Sequence, residues 1–571
     1  MQISEDNGRR REQKLLFLVF TLFSYSGIFS QPLPVQQDLQ ADREEIRRRQ
    51  QQEQAEQQGR FEQPRVDLQP AAGTVSDAIP ESPDGFSIDR VEVEGGRRFP
   101  WLAPLAARYE GRRLGMAGIR HAIRALSHAC LERGYVTTRV LLPEQDIAGT
   151  RTLRLVVAPG TVGKIGFAPG DAGRGGTWRN AFPARAGGLL NLRDIEQGLE
   201  QMKRVPSQDV TMELKPGARP GQSDVLVTRK NRFPLRGHLG IDNGGDQNTG
   251  RWQGSATAFW DNPLSLNDLL AFTRNGAVAT ASGQGTGGDN LTYSLPFGYW
   301  TAHASYNAYD YRQTVQGYYN PYESSGKSRS VEARVQFLAH RDQNSKTTAQ
   351  TRVSWRRNRN FIDGVELEVQ RRDTGTLELA LLHQRNLGRA LLDASVAFRN
   401  GVPWFGATGD LQPRADGSPT NFYHALTADA VLRIPFSIGP ARLHAHTAFR
   451  AQLTGDTLQG SEYFSIGGRY TVRGFDGRQT LGAEKGLTLR HDLGVALWRT
   501  GQTLYLALDG GHVAGPASRY LPGGTLAGCA LGLRGGRGAF YYDATVGRPL
   551  YKPRGLHTAR ATCTAQAGIQ F

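Results

Sequence analysis

Few residues in this chain are spaced for chemistry. His444 and His446 lie two apart on one face of a predicted strand, a metal-compatible geometry, but no Cys, Asp or Glu close by in sequence completes a ligand set. They read as histidines lining a polar surface. The run SSGKS, Ser324 to Ser328, resembles a phosphate-binding loop, yet Pro321 stands where the first glycine belongs and the setting reads as an inter-strand connection. No G-x-S-x-G elbow occurs. Cys130, Cys529 and Cys563 are too few and too scattered for a disulfide framework or a zinc site, and none sits in an activating motif. The expectation is no enzyme, no metal and no cofactor, with a barrel-borne enzyme kept as a remote alternative.

One stretch remains: FSIGGRYTVRGFDG, Phe464 to Gly477, with four glycines, two arginines and three aromatics. Glycine lets a backbone fold tightly and approach a wall, and Arg473 offers a planar fork able to hold a carboxylate through two hydrogen bonds. The candidate functional motif is therefore Val472, Arg473, Gly474 and Phe475. A carboxylate must be found for it.

The elements that could supply one start near Asn231. From there to the end, segments of roughly ten residues alternate strictly and are separated by Gly, Asn, Asp and Pro. Val331, Ala333, Val335 and Phe337 share one face, with Glu332, Arg334 and Gln336 on the other. Leu443, Ala445 and Phe449 oppose Arg442, His444, His446 and Arg450 in the same way. Cys563, Ala565, Ala567, Ile569 and Phe571 oppose Thr562, Thr564, Gln566 and Gln570. A sandwich would bury those unpaired arginines at prohibitive cost, whereas a closed barrel with a wet lumen and a lipid-facing wall accommodates both faces. About 340 residues at roughly twenty per strand and connection predict on the order of sixteen antiparallel strands. In LYLALDGG, Leu504, Leu506 and Leu508 take the lipid side, so Tyr505, Ala507 and Asp509 face the lumen, where Asp509 needs a cation.

Upstream, Arg9, Arg10, Arg11 and Lys14 precede a short apolar run from Leu15 to Phe23, which predicts a signal peptide over 1–30. Gln36 to Arg60 is rich in helix formers but lacks an apolar stripe. It cannot dock by burying a core face, and reads by itself as a solvated or disordered helix. A proline-bearing linker reaches about residue 84. Two small α+β units follow, over 85–159 and 160–230. In the first helix Ile119, Ile123, Leu126 and Cys130 fall at helical spacing; in the second, Leu192, Ile195, Leu199 and Met202 do. The 69 Lys and Arg against 53 Asp and Glu give a net charge of +16, but these charges are spread along the chain rather than clustered, which argues against nucleic acid.

Taken with the motif Val472-Arg473-Gly474-Phe475 and the stretches LLPEQDI, NLRDIEQGLEQM and LALDGGHV, this order of parts resembles the transporter component of two-partner secretion. The two small units resemble polypeptide-transport-associated (POTRA) domains. The resemblance implies an outer-membrane β-barrel over 231–571 with its N-terminal domains in the periplasm. The POTRA domains would bind a secreted partner exoprotein in extended form, and the barrel would pass it to the surface; the protein would be a monomer or weak dimer in outer-membrane lipid. It further implies that the helix within 31–84 plugs the lumen. The hairpin after about the eleventh strand would fold inward, with Arg473 taking the place of the family's arginine and Asp509 that of its partner on the wall, as a strut or as a gate. The Val-Arg-Gly-Phe element is shared with a wider superfamily, so an outer-membrane assembly insertase is the alternative.

Overall fold

The computed structural model describes residues 40–62, 64–66, 68, 75–169, 176–280, 282–316, 319–410, 417–497 and 501–571; the predicted signal segment and residues 31–39 lie outside them. The described chain opens with α1 (Gln40–Glu62), a helix of 23 residues.

The first α+β unit comprises β1 (Phe86–Ile88), β2 (Arg90–Glu94), α2 (Leu102–Ala107), β3 (Arg112–Leu114), α3 (Met116–Glu132), β4 (Arg139–Leu141), α4 (Ile147–Thr150) and β5 (Thr152–Ala158). Its main sheet runs β2-β5-β4, with β2 and β5 parallel. Ile119, Leu126 and Cys130 of α3 are buried against Ile88, Phe99, Leu153 and Leu155, while Ile123 is partly buried beside them. Two short elements escape the sequence pattern. α2 carries Pro104 in its first turn, where a missing N–H costs nothing. The stretch from Tyr135 to Ile147 gives only three ladder residues before turning into α4.

The second unit comprises β6 (Thr161–Phe167), α5 (Leu192–Lys203), β7 (Gln208–Pro216) and β8 (Gln222–Asn231), with the sheet ordered β6-β8-β7. Asn191 caps α5 by accepting the Arg193 N–H. Leu192, Ile195, Leu199 and Met202 are buried in the core, as expected from their spacing. The opposite face, with Arg193, Glu196, Gln197, Glu200 and Gln201, is buried too, because it lies against barrel turns.

The barrel is β9 (Leu235–Asp242), β10 (Trp252–Asp261), β11 (Leu269–Ala279), β12 (Gly285–Phe297), β13 (Trp300–Gln316), β14 (Pro321–Arg341), β15 (Ser345–Ile362), β16 (Val365–Glu366), β17 (Arg372–Leu387), β18 (Ala390–Val402), β19 (His424–Ile438), β20 (Ala441–Thr454), β21 (Phe464–Ile466), β22 (Leu481–Ala483), β23 (Lys485–Leu497), β24 (Gln502–Ala514), β25 (Thr525–Arg537), β26 (Phe540–Tyr551) and β27 (Thr562–Gln570). All neighbours are antiparallel, and β27 closes on β9. β16 is a two-residue strand that folds back antiparallel onto the end of β15, and β21 pairs only with β22, which leaves sixteen wall strands. The predicted membrane barrel with two periplasmic α+β domains and an N-terminal helix is the observed fold.

Alternation decides the faces as expected. Val331, Val335, Leu504, Leu506 and Leu508 are exposed on the outside, whereas Tyr505, Ala507 and Asp509 are buried. One placement is corrected. Ser324 to Ser328 do not lie in a connection; they are extended residues inside β14, laddered to both β13 and β15, so they cannot cradle a phosphate.

Candidate functional site

The hairpin between β20 and β23 turns into the barrel. β21 and β22 form its stem, and the chain from Gly467 to Thr480 forms its tip. Val472 and Phe475 are buried with Ile466, Leu481, Val513, Leu526 and Leu556, an apolar patch between the hairpin and the wall. Gly474 has φ +96°, and a Cβ there would run into the carbonyl of Arg548 on β26. From the other side, a Cβ on Gly528 of β25 would strike the Arg473 carbonyl. The tip therefore lies directly on the wall because both surfaces lack side chains there.

Between those contacts Arg473 is 8% exposed and its side chain points at two wall carboxylates. Its backbone N–H donates to Asp509 Oδ2 at 2.9 Å and its Nε to the same oxygen at 2.7 Å. Nη2 donates to Asp509 Oδ1 at 2.6 Å and to Asp492 Oδ1 at 2.5 Å. Arg490, across from Asp509 in the β23–β24 ladder, brings its Nε to 3.9 Å and donates through Nη1 to the Tyr470 carbonyl at 3.1 Å. Two cations thus face two anions. A buried charge is tolerated only when paired and hydrogen-bonded, and a guanidinium meets a carboxylate by two parallel bonds.

The sequence reading named Arg473 and Asp509 and missed Asp492 and Arg490. The signal for these was present: in RHDLGVAL, Arg490 and Asp492 fall on the face opposite Leu489 and Leu493, the lumen side. His444 and His446 border a lumen cavity of about 700 Å³ together with Arg473, Arg490 and Asp492. Arg534 Nη2 donates to His444 Nε2 at 2.7 Å, so a cation faces the nitrogen a metal would need. No group of three or more metal-ligating side chains gathers among the described residues.

α1 occupies the lumen beside this hairpin. At 1.5 Å per residue its 23 residues span about 35 Å, enough for the height of the wall. Its seat is polar almost throughout, which is why no apolar stripe marked it. Glu45 pairs with Arg356 and accepts from Asn358 at 2.7 Å, and Glu53 pairs with Arg450. Glu56 accepts from Arg352 at 2.9 Å and lies 3.7 Å from Arg334. Arg60 sits 3.4 Å from Asp393. Arg49 donates to the carbonyls of Ser461 and Tyr463 at 2.8 and 2.6 Å and meets Glu462 at 3.2 Å, while Gln50 donates to the Ser465 carbonyl at 2.9 Å. The helix therefore grips the base of the hairpin as well as the wall.

Below it, the predicted linker is partly structured. Val66 N–H donates to Glu200 and Leu68 N–H to Glu196, both at 2.8 Å, on the outer face of α5. Arg341, at the end of β14 and 4% exposed, donates to Glu196 at 3.0 Å, to both Glu200 oxygens at 2.9 and 2.8 Å, and to the Val66 carbonyl at 2.7 Å. Lys346 adds 2.6 and 2.7 Å contacts to Glu200. One guanidinium thus ties together the segment after the helix, the second α+β unit and a periplasmic turn of the barrel.

Comparison with known proteins agrees with the barrel and the two α+β units. The family model "Haemolysin secretion/activation protein ShlB/FhaC/HecB" matches residues 221–535. A POTRA model of ShlB type matches 86–160, and a second POTRA model matches 161–216. The chain is 38% identical over 502 residues to the outer membrane transporter CdiB-2 of Burkholderia pseudomallei, covering 87% of this chain and 85% of that one. It is 28% identical to the hemolysin transporter protein ShlB of Serratia marcescens, covering 66% of each. The solved structure of CdiB from Escherichia coli superposes with a TM-score of 0.83 at 28% identity, covering 96% of this chain and all of that one. With a sixteen-stranded barrel behind two POTRA domains, the chain belongs to the ShlB/FhaC/HecB family of haemolysin secretion/activation proteins and resides in the bacterial outer membrane.

Proposed function

We propose that this chain exports one large partner polypeptide through its own lumen in two-partner secretion. The division of labour follows the expected parts: a signal over 1–30, a plug and linker over 31–84, POTRA domains over 85–159 and 160–230, and the pore over 231–571. The POTRA domains receive the partner as an extended segment added to a sheet edge, the edge strands being β2 and β4 in the first and β6 and β7 in the second. The carrying observation is a closed, polar-lined barrel occluded by a helix that is held almost entirely by hydrogen bonds and ion pairs, and so can leave for water without exposing a greasy face. The reading contains no catalytic step, nucleotide or metal, and folding of the cargo outside supplies the drive. The cargo class is that of a haemolysin, adhesin or toxin, and the transporter acts as a monomer or weak dimer. The quartet around Arg473 holds the hairpin on the wall while the chain is at rest.

Deleting residues 36–60 is the direct test: single-channel conductance in planar bilayers should rise several-fold while export of the partner continues. Unchanged conductance would remove the plug. If the protein were an assembly insertase instead, its loss from cells would lead barrel precursors, rather than one exoprotein, to accumulate.

A further inference from the structure

On β13, β14, β15 and β17 the outward face changes character along one line. Tyr306, Val331 and Trp355 stand opposite one another as the last apolar row. The next row reads Ala308, Arg329, Arg357 and Asp373, and the one beyond it Asp310, Lys327 and Arg359. Arg329 thus faces Arg357 and Lys327 faces Arg359 on adjacent strands, an arrangement that costs stability when nothing offsets it.

The carboxylates nearby only partly offset it. Asp373 binds Arg359 at 2.8 Å and Arg357 at 3.3 Å, and Glu366 lies 3.4 Å from Arg359. Asp310 stands opposite Lys327 in the ladder without an ion pair to it among the described residues. Lys327 and Arg329 are both exposed, and neither makes an ion pair among the described residues. Aromatic faces underlie two of the cations, Phe361 at 5.5 Å from Lys327 and Trp355 at 5.0 Å from Arg357.

Position decides what these cations can meet. β14 ends at Arg341 beside the second POTRA domain, so Arg329 lies twelve residues up the strand. At about 3.3 Å per residue and a tilt of about 40°, that is about 30 Å above the periplasmic turn, just past an apolar band about 25 Å tall. The side chains point away from the lumen, so an exported chain never touches them.

We infer that Lys327, Arg329 and Arg357 form a docking site for the phosphorylated headgroup of an outer-leaflet glycolipid, with the acyl chains against Tyr306, Val331 and Trp355. The charges sit at headgroup height, adjoin the lipid-facing belt without a break, and include two cations without an ion pair among the described residues. The inference rests on the membrane orientation of the barrel but not on what it exports.

The test uses the full-length protein in detergent, titrated with bis-phosphorylated lipid A and with the same lipid lacking both phosphates, read by native mass spectrometry. Wild type should retain the phosphorylated lipid at least tenfold better than K327Q/R329Q, and the phosphate-free lipid no better than that variant. D373N should move the opposite way, two- to threefold tighter, because it frees Arg357 and Arg359 for the ligand. R274Q, whose cation is already paired with Asp289 at 2.6 Å, should match wild type. Heat-modifiable migration on gels certifies each barrel; if K327Q/R329Q does not fold, R357Q carries the same comparison. Equal retention by wild type and variant, equal retention of the two lipids, or displacement of the lipid by millimolar inorganic phosphate would overturn the assignment.

Discussion

Two objects fill this barrel, and they are fastened by opposite means. The hairpin tip is held by a buried charge quartet, an apolar patch around Val472 and Phe475, and two glycine-to-backbone approaches. The helix α1 is held by ion pairs and hydrogen bonds strung along its length, without a comparable apolar cluster among the described residues. Buried paired charges fail together, because removing one partner leaves the other stranded in a low dielectric. The contacts of α1, some of them buried like Glu45, are spread over separate sites, so losing one leaves the others in place. The lumen thus contains one part fastened at a single charged and apolar centre and one part fastened at many separate points.

The largest effect should come from the hairpin. Arg473→Ala, or Asp509→Asn, strands buried charges worth about 3–5 kcal/mol, so export should fall at least tenfold while the barrel still inserts and migrates as folded. A partner-secretion assay beside an outer-membrane blot decides it; full export would mean the quartet is ornamental. Exchanging the charges with R473D/D509R separates strut from gate, since a strut is partly rescued by the swap and a timed gate is not.

Next comes wholesale loosening of the helix. Reversing Glu45, Glu53 and Glu56 to Lys sets three cations against Arg356, Arg450 and Arg352, and channel conductance should rise towards that of the deletion. Removing one contact should do far less. Glu56→Gln takes away a half-exposed pair worth about 0.2–1 kcal/mol, so the open fraction should change by less than about fivefold, and the difference should shrink as salt is raised. A single substitution that opened the channel fully would break the contrast drawn above.

The smallest effect lies in the first POTRA domain. Burial pushes the Cys130 thiol up to about 11 from an ordinary value of 9.0, with Arg133 opposing weakly. The unfolded chain therefore loses this proton first, so the stability contribution is whole below pH 9 and disappears as the pH climbs to 11. In a C529S/C563S background, raising the pH from 8 to 10 should lower the urea midpoint of the periplasmic domains. The shift should vanish in C130A, and its persistence there would place the titration elsewhere.

Strand parity made much of this molecule legible. Alternation alone put Asp509 and its neighbours on the lumen side, and the same rule would have found Arg490 and Asp492, which lie on adjacent text. Which carboxylate meets Arg473 was not legible from spacing, because 36 residues and a strand separate it from Asp509; family resemblance supplied that. The seat of α1 was hidden for a physical reason. A helix docked through charges carries the same residue pattern as one left in water, and its partners, such as Arg356 and Arg450, lie more than 300 residues away. The buried outer face of α5 misled in the same way, since Glu196 and Glu200 look solvated until Arg341 arrives from the barrel.

That arginine has a mechanical meaning. Because one cation accepts the load of the POTRA helix, the barrel turn and the irregular segment at Val66, tension applied to any of these pulls on the same handful of bonds. A tug on the periplasmic domain therefore reaches, through Arg341, the chain at Val66, four residues past the end of α1.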